Sequence, residues 1–522
     1  GAGTTGGAGA TGGAGTTGGA GMRGGAGATG GAGLTGGAAG KTGAGGALDT
    51  SDDVLTRNKH ETRDGFFIQP TLTKAAAMKM ALDTGFKATF TGVFMYGSPL
   101  YVSNGPQGKG AFIAATTNNE VYVFDETTGA VLWMHSIGSA PAMPGVACGN
   151  VKPVGITSTP VIDAAARTIY VAGAIGTTQI DRHEIHALSL DDGSERPGWP
   201  VNVSALQGPG AVAFNSPAQN QRSALSLVNG IVYVAYGGHA GDCGTYHGWV
   251  IAVDPKAPTK PGVWMTAGVG EAIWAAGGMA SDGTGVFAVT GNRLPDSATH
   301  QDSEEVVRLT GMGDVDRTTG IYYPAGWRTM DQQDADFGAS SPVVVSVPGS
   351  KPATLVAAAA KDGHLYLLDP ANLGGMAGHL QDLVVATGGP MLIRSVLAAY
   401  TSTTGVHVVL NTVAGASCGG GGVATVSVGI APGSPPVAKQ AWCFAGGFGQ
   451  SPIATSTDGT NETIVWTMNG NKLNAIDGDA GTMLYDGGNA GCSGVRSFTS
   501  PIAVKGRIVV GGDNQLCSWS PH

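Results

Sequence analysis

The chain has 522 residues, of which 28 are basic and 37 acidic for a net charge of −9, and only 12% of positions are charged. With a pI of about 5.6 it lacks the basic face that phosphate neutralisation demands, so nucleic-acid binding of that kind is excluded. No run approaches the roughly 18 consecutive apolar residues of a membrane-spanning helix.

Glycine is the compositional outlier, with 89 residues where an average chain of this length would hold about 37. Residues 1 to 36 are six tandem hexapeptides, GAGTTG, GAGATG, GAGTTG, GAGMRG, GAGATG and GAGLTG, and a degenerate tail runs to Gly46. Each fits G-x-G-x-x-G, but the dinucleotide fingerprint needs a strand before its glycines and none precedes this block. Gly40-Lys41-Thr42 likewise lacks the phosphate-loop glycine five positions upstream, where Thr35 stands. Residues 1–46 read as a flexible stalk or linker. Alternatively, because glycine falls at every third position from Gly3, they read as a segment that self-assembles laterally into a filament or matrix. The chain opens on glycine without a charged-then-apolar leader, so it reads as a processed product or a fragment, with the stalk behind a cleaved export signal.

After a lead-in over residues 47–97, residues 98–522 repeat one pattern: an apolar strand, a polar turn, a strand ending in Asp, a glycine turn and a further strand. It is clearest at Ala111 to Ile137, where Val121, Val123 and Asp125 share a face opposite Tyr122 and Phe124, and Asp125 to Gly129 turns the chain into Val131 to Trp133. Drifted copies begin at His183, His247, Asp362 and Asn471. Ser98-Pro99, Thr159-Pro160, Ser341-Pro342, Ser451-Pro452 and Ser500-Pro501 each open a unit, at a position where proline sacrifices no ladder hydrogen bond. The period predicts an all-β, eight-bladed propeller of four-stranded antiparallel blades, with seven blades as the alternative. The expected blades are 98–137, 157–203, 223–267, 277–325, 339–388, 394–446, 450–487 and an incomplete one at 498–520. The last lacks a strand, which the stretch Met80 to Thr91 is expected to supply, closing the ring.

The side chains that carry chemistry fall in the connections. Six cysteines without a C-x-x-C pair are expected to bond as Cys148 with Cys243, Cys418 with Cys443 and Cys492 with Cys517, which implies an oxidising compartment; reduced buried thiols are the alternative. His239, Asp242 and His247 sit around Cys243 in one loop and read as a soft-metal site or as a polar turn. His183 and His186 lie on a strand at a spacing that points them to opposite faces. Asp331, Asp334 and Asp336 form the best carboxylate cluster, either a calcium site or solvated loop charges, with Glu304 and Glu305 as further donors. Arg293, Arg394 and Arg496 stand near inner positions and are expected to line the axial channel or pair with those acids. No G-x-S-x-G occurs in a strand-to-helix setting, so a serine hydrolase has no support.

Val123 to Trp133 (VFDETTGAVLW) resembles the pyrroloquinoline-quinone-type propeller repeat at Asp125, Thr128, Gly129 and Trp133, residues that in that repeat dock neighbouring blades. GITSTPVID (from Gly155), YHGWVIAVDP (from Tyr246) and IWAAGGMASDGTGVFAVTGN (from Ile273) resemble an extracytoplasmic group of quinoprotein-like propellers of unknown function. The resemblance implies a propeller, and beyond it two readings. The first is an exported, surface-displayed, non-catalytic binding or assembly scaffold with a protein or glycan partner at the cell surface. The second is an oxidoreductase that uses pyrroloquinoline quinone (PQQ) and calcium, with Asp334 or Asp336 holding the ion or acting as base. Several classes of quinoprotein dehydrogenase place two adjacent cysteines over the quinone, and no two cysteines here are adjacent.

Overall fold

The computed structural model describes residues 49–91, 94–416, 418, 422–446 and 450–522. The glycine-rich repeat, and the stalk and assembly readings placed on it, lie outside these residues. The described strands form eight sheets, each built on four antiparallel strands in radial order. Blade 1, for example, comprises Leu100–Val102, Ala111–Ala115, Glu120–Asp125 and Val131–Ser136. Blades 2 to 7 begin at the inner strands Val161–Asp163, Ser226–Val228, Ala280–Ser281, Val343–Ser346, Ala398–Ser402 and Ile453–Ser456. Within blade 1 the second strand is wholly buried while the outermost alternates between exposed and half-buried positions. That gradient is the signature of radial packing, in which the inner strands are crowded by their neighbours.

Blade 8 is made from both ends of the described chain. Ile502–Val504, Arg507–Gly512 and Gln515–Pro521 supply three strands, and Met80–Leu82 pairs antiparallel with Pro521, Ser520 and Trp519 as the fourth. Thr89 adds a bridge to Gln515. The ring therefore closes by sheet hydrogen bonds and leaves no open seam. One strand falls where the sequence suggests only a turn: Gly375–Met376, from blade 5, pairs parallel with Tyr322 and Tyr323 and widens blade 4.

Blade docking repeats a tryptophan-on-glycine contact. Trp133 Nε1 donates to Leu190 O of blade 2 at 3.0 Å, and a Cβ on Gly193 (φ +75°) would stand 2.9 Å from the Trp133 ring. Trp442 of blade 6 repeats it on blade 7, donating to Gly478 O at 2.8 Å and lying where a Cβ on Gly481 (φ +69°) would be 2.8 Å away. Asp125 Oδ1 accepts from the amides of Thr127 and Thr128 and from the Thr128 hydroxyl, fixing the turn that presents Gly129 (φ +75°) to the chain at Lys87 and Ala88.

The axial channel is filled by the segment Val54 to Gly65, which the sequence did not single out. Inner strands present unpaired amides to the axis, and buried backbone groups require partners. Tyr101, Ile162, Ser281, Val344, Ala399 and Ala454, each second in its inner strand, donate N–H to the carbonyls of Val54, Leu55, Glu61, Thr62, Asp64 and Gly65, at 2.7 to 3.0 Å. The remaining two blades are met by side chains. The Arg63 guanidinium bonds Leu225 O and Ser226 Oγ at 2.9 and 2.6 Å, while Arg57 and Asn58 bond Ser500 Oγ at 3.0 and 2.9 Å. The segment coils tightly enough to reach all eight blades because Asn58, Lys59, Arg63 and Gly65 adopt positive φ. It then leaves as Phe66–Ile68, paired parallel to the inner strand of blade 7.

His60 within this plug bonds Asp64 Oδ1 at 2.7 Å and Asp49 Oδ2 at 3.3 Å. Burial alone would lower its pKa, but the two carboxylates override burial and raise it to about 9. The stability it lends is complete below about pH 6.5 and is lost as pH rises through 9. The unfolding free energy of the wild type relative to His60→Gln should therefore fall between pH 6.5 and 9, by an amount on the order of 3 kcal/mol, as followed by denaturant melts; a flat difference would show that His60 titrates as in the unfolded chain. Gly193→Ala should destabilise by about 1–3 kcal/mol, more than Gly230→Ala, whose φ is also positive but whose added Cβ meets nothing within 4 Å. Thermal melts of the two variants measure the blade-docking contact separately from backbone strain.

Candidate functional site

Strands alternate in direction within a blade, so turns joining strands 1–2 and 3–4 lie at one end of the ring. Turns joining strands 2–3, and the links between blades, lie at the other. The plug is tied to the first end: the turn amides of Ser103 and Lys505 donate to Asp53 and Asp52 carboxylates at 2.5 and 3.0 Å. The chemistry-bearing residues gather at the link end.

There Arg222, on the link into blade 3, donates Nε–H to Trp274 O at 3.0 Å, and its guanidinium carbon lies 5.3 Å from the Trp274 ring and 4.8 Å from that of Phe498. These residues come from links into blades 3, 4 and 8, so they meet on the axis. Lys361 Nζ lies 5.0 Å from the Trp274 ring and bonds Asp336 Oδ2 at 2.9 Å and Asp334 Oδ1. Arg496 covers Phe94 and Tyr96, at 4.2 and 5.7 Å, and pairs with Asp513 at 2.6 Å. Trp274 lies flat against backbone because two glycines admit it: a Cβ would stand 2.2 Å from its Nε1 at Gly338 and 3.1 Å at Gly291. The result is a cluster of cations and aromatic rings at the link end of the axis, beside the plug, here termed the axial cup.

Burial lowers the Arg222 pKa to about 10, with Asp336 opposing the shift, and lowers that of Arg57 beneath it to about 9, with Arg63 and Arg222 adding repulsion. Burial also pushes Asp336 up to about 6 against the pull of Lys361. Asp336 Oδ1, Asn292 Oδ1, Glu304 Oε1 and Trp274 Nε1 are buried and have no hydrogen-bond partner among the described residues. Glu304 gives its other oxygen to Phe337 N at 3.0 Å; burial, with Asp336 and Asp331 nearby, raises its pKa well above the carboxylate range.

The three aspartates expected to share a calcium ion do not share one centre. Asp331 sits on the short helix Trp327–Gln333, where it accepts from Arg293 N and Ser303 Oγ, both at 3.0 Å. Asp334 ends that helix in the left-handed conformation, which turns the chain so that Asp334 and Asp336 flank Lys361 instead. Glu305 faces Asp302 and Glu271, away from this trio, and burial with those charges raises its pKa to about 9. His239, Asp242 and His247 also diverge: Asp242 accepts from Tyr246 OH at 2.6 Å, His247 Nδ1 contacts Thr266 O at 3.1 Å, and His239 is buried. Among the described residues no group of three or more His, Cys, Asp or Glu is arranged to hold a metal ion.

Of the arginines, Arg496 lines the cup, whereas Arg293 contacts Gln301 and Glu271 in the blade 4 loop. Arg394 stands on the link into blade 6 with its Nε buried and without a partner among the described residues. His183 and His186 part as their spacing dictates, to Ser216 O at 3.2 Å and Glu195 Oε2 at 2.7 Å. The disulfides Cys148–Cys243, Cys418–Cys443 and Cys492–Cys517 all tie link-end segments, and such bonds are compatible with an oxidising compartment. Sequence reasoning missed Arg222, Trp274, Lys361 and Phe498. The available signal was a lone cation in an apolar run, as in Ala357 to Lys361.

Lys361→Met should cost on the order of 3–5 kcal/mol, because it strands the Asp336 carboxylate without its cation. Adding Asp336→Leu should restore part of that loss, and equal stability of the single and double variants in urea would show that the pair is uncoupled.

Scans against protein-family models and curated proteins find no match. Solved structures do match. The quinohemoprotein alcohol dehydrogenase of Comamonas testosteroni aligns at 14% identity and TM-score 0.60 over 90% of this chain and 80% of that one. The quinohemoprotein alcohol dehydrogenase of Pseudomonas putida HK5 aligns at 12% identity and TM-score 0.60, with coverage of 90% and 80%. A europium-containing methanol dehydrogenase aligns at 14% identity and TM-score 0.58, covering 88% of this chain and 90% of its own. The chain thus has the eight-bladed, quinoprotein-like propeller fold.

Proposed function

We propose that this protein is an extracytoplasmic binding propeller whose axial cup takes a planar, anionic ring compound. The observation that carries the reading is the position of Arg222 between the Trp274 and Phe498 rings, with Lys361 also beside Trp274. Guanidinium and ammonium groups beside aromatic faces suit a flat ligand with carboxylate or carbonyl oxygens at its rim. Trp274 would supply the stacking face, Arg222 and Lys361 would grip the rim, and the plug excludes water from below. The three disulfides support an exported location.

PQQ has the required shape and charge, and the cup residues fit its ring and acidic rim. Calcium fits less well, since Lys361 already stands between the carboxylates of Asp334 and Asp336 and Asn292 turns its amide nitrogen to Asp334 at 3.3 Å. A second reading, quinone-dependent oxidoreductase, rests on Asp336, whose buried Oδ1 lacks a donor among the described residues and whose pKa of about 6 suits a proton acceptor. Bound quinone would supply the two-electron acceptor for that chemistry.

The test is retention of PQQ through gel filtration, with EDTA or with calcium, followed by dye reduction with a primary alcohol. Retention in EDTA, weakened at least tenfold in Arg222→Gln and in Trp274→Leu, with no dye reduction, is the expected result. Dye reduction would favour the oxidoreductase, and absence of retention under both conditions would overturn the cup as a site for this ligand class.

A further inference from the structure

A cavity lies between blades 4 and 5, lined by residues 324–335 and by blade 5. Its volume is about 420 Å³, within the range of small-molecule sites. One wall is the helix Trp327–Gln333 and its approach, contributing Pro324, Met330 and, just beyond, Ala335; exposed Thr329 and Gln333 stand at the mouth. The opposite wall is blade 5, with Asp362 on its 2–3 turn, His364 and Tyr366 on its third strand and Asp382 on its fourth.

The charged groups of this cavity leave an excess of acid. Asp382 Oδ1 pairs with His364 Nδ1 at 2.6 Å, while Asp362 accepts the backbone N–H of His364, at 3.0 Å, and shares the charge of the same imidazole. His379 contacts the Tyr322 hydroxyl at 3.1 Å. The one nearby ammonium, that of Lys361, is committed to Asp334 and Asp336.

Tyr366 supplies an independent sign of a ligand. The residue is 3% exposed, it lines the cavity, and its hydroxyl has no hydrogen-bond partner among the described residues, while burial first and then the charge of Asp362, with Asp382 adding less, raise its pKa. The rings form an arc, His364 stacked on Tyr366 at 5.8 Å and His379 tilted against Tyr366 at 5.7 Å. A buried tyrosine, aromatic faces and two carboxylates that share one imidazole, opposite Met330, Ala335 and Pro324, match the groups that hold an alkylammonium ion.

We propose that this cavity binds a small organic cation: the ammonium sits between Asp362, Asp382 and the aromatic arc, and the hydrocarbon lies against Met330, Ala335 and Pro324. The proposal does not depend on the axial cup. The test is calorimetric titration of the full chain with choline and with its uncharged isostere 3,3-dimethylbutan-1-ol. Choline is expected to bind at least tenfold more tightly, and Asp362→Asn and Asp382→Asn, with folding checked by thermal melts, should each weaken it about tenfold. Tyr366→Phe keeps the ring and should weaken it less. Equal binding of the two compounds, no binding of choline, or choline binding unchanged in both asparagine variants overturns the assignment.

Discussion

An eight-bladed ring brings eight inner strands to one axis with polar groups facing it, and the molecule depends on how those groups find hydrogen-bond partners. Val54 to Gly65 accepts the strand amides with its own carbonyls at six blades, and at the other two its Arg63, Arg57 and Asn58 side chains bond Leu225 O and the Ser226 and Ser500 hydroxyls. The segment carries Arg57, Arg63 and Lys59 into a buried setting, which is costly for charged groups. Several donors of those side chains are absorbed by main-chain oxygens, such as Phe498 O, Met279 O and Ser51 O, and others by the Thr56, Ser226 and Ser500 hydroxyls.

The plug also decides what kind of site the propeller can have. It is tied at the turn end and runs along the axis, which leaves the axial cluster of Arg222, Trp274 and Phe498 at the link end. A buried layer of cation lies beneath that cup, since Arg57 is close enough to Arg222 for each to oppose the other's charge. An anion arriving from above would relieve that repulsion, so in the proposed binding role the floor would add to the cup's selectivity for negative charge.

The fold was largely legible because its determinants are local and repeated. Asp125, Thr128, Gly129 and Trp133 make contacts that any copy of the pattern must make, and Met80 to Leu82 was required by arithmetic once a strand was missing from the last blade. The cup was not legible, because its residues come one at a time from different links and become neighbours only when the ring closes. Asp331, Asp334 and Asp336 show the converse error: nearness in sequence suggested a shared ion, but a left-handed residue at Asp334 divides the trio. The plug was hidden for a related reason. Its polar composition looks like a loop, and only eight convergent inner strands explain why such a stretch is buried.

The segment that seals the axis lies ahead of every blade in the chain, yet it bonds to strands from the first to the last. During synthesis it must therefore wait, unpaired, until Ser500 and the strands after it have emerged. Its polar sequence, Thr56 to Asp64, suits that interval, since an apolar plug of the same length would present a sticky surface to every half-made neighbour. Native topology thus becomes available only to a finished chain, because an interrupted one holds the axle without all of the blades that must surround it.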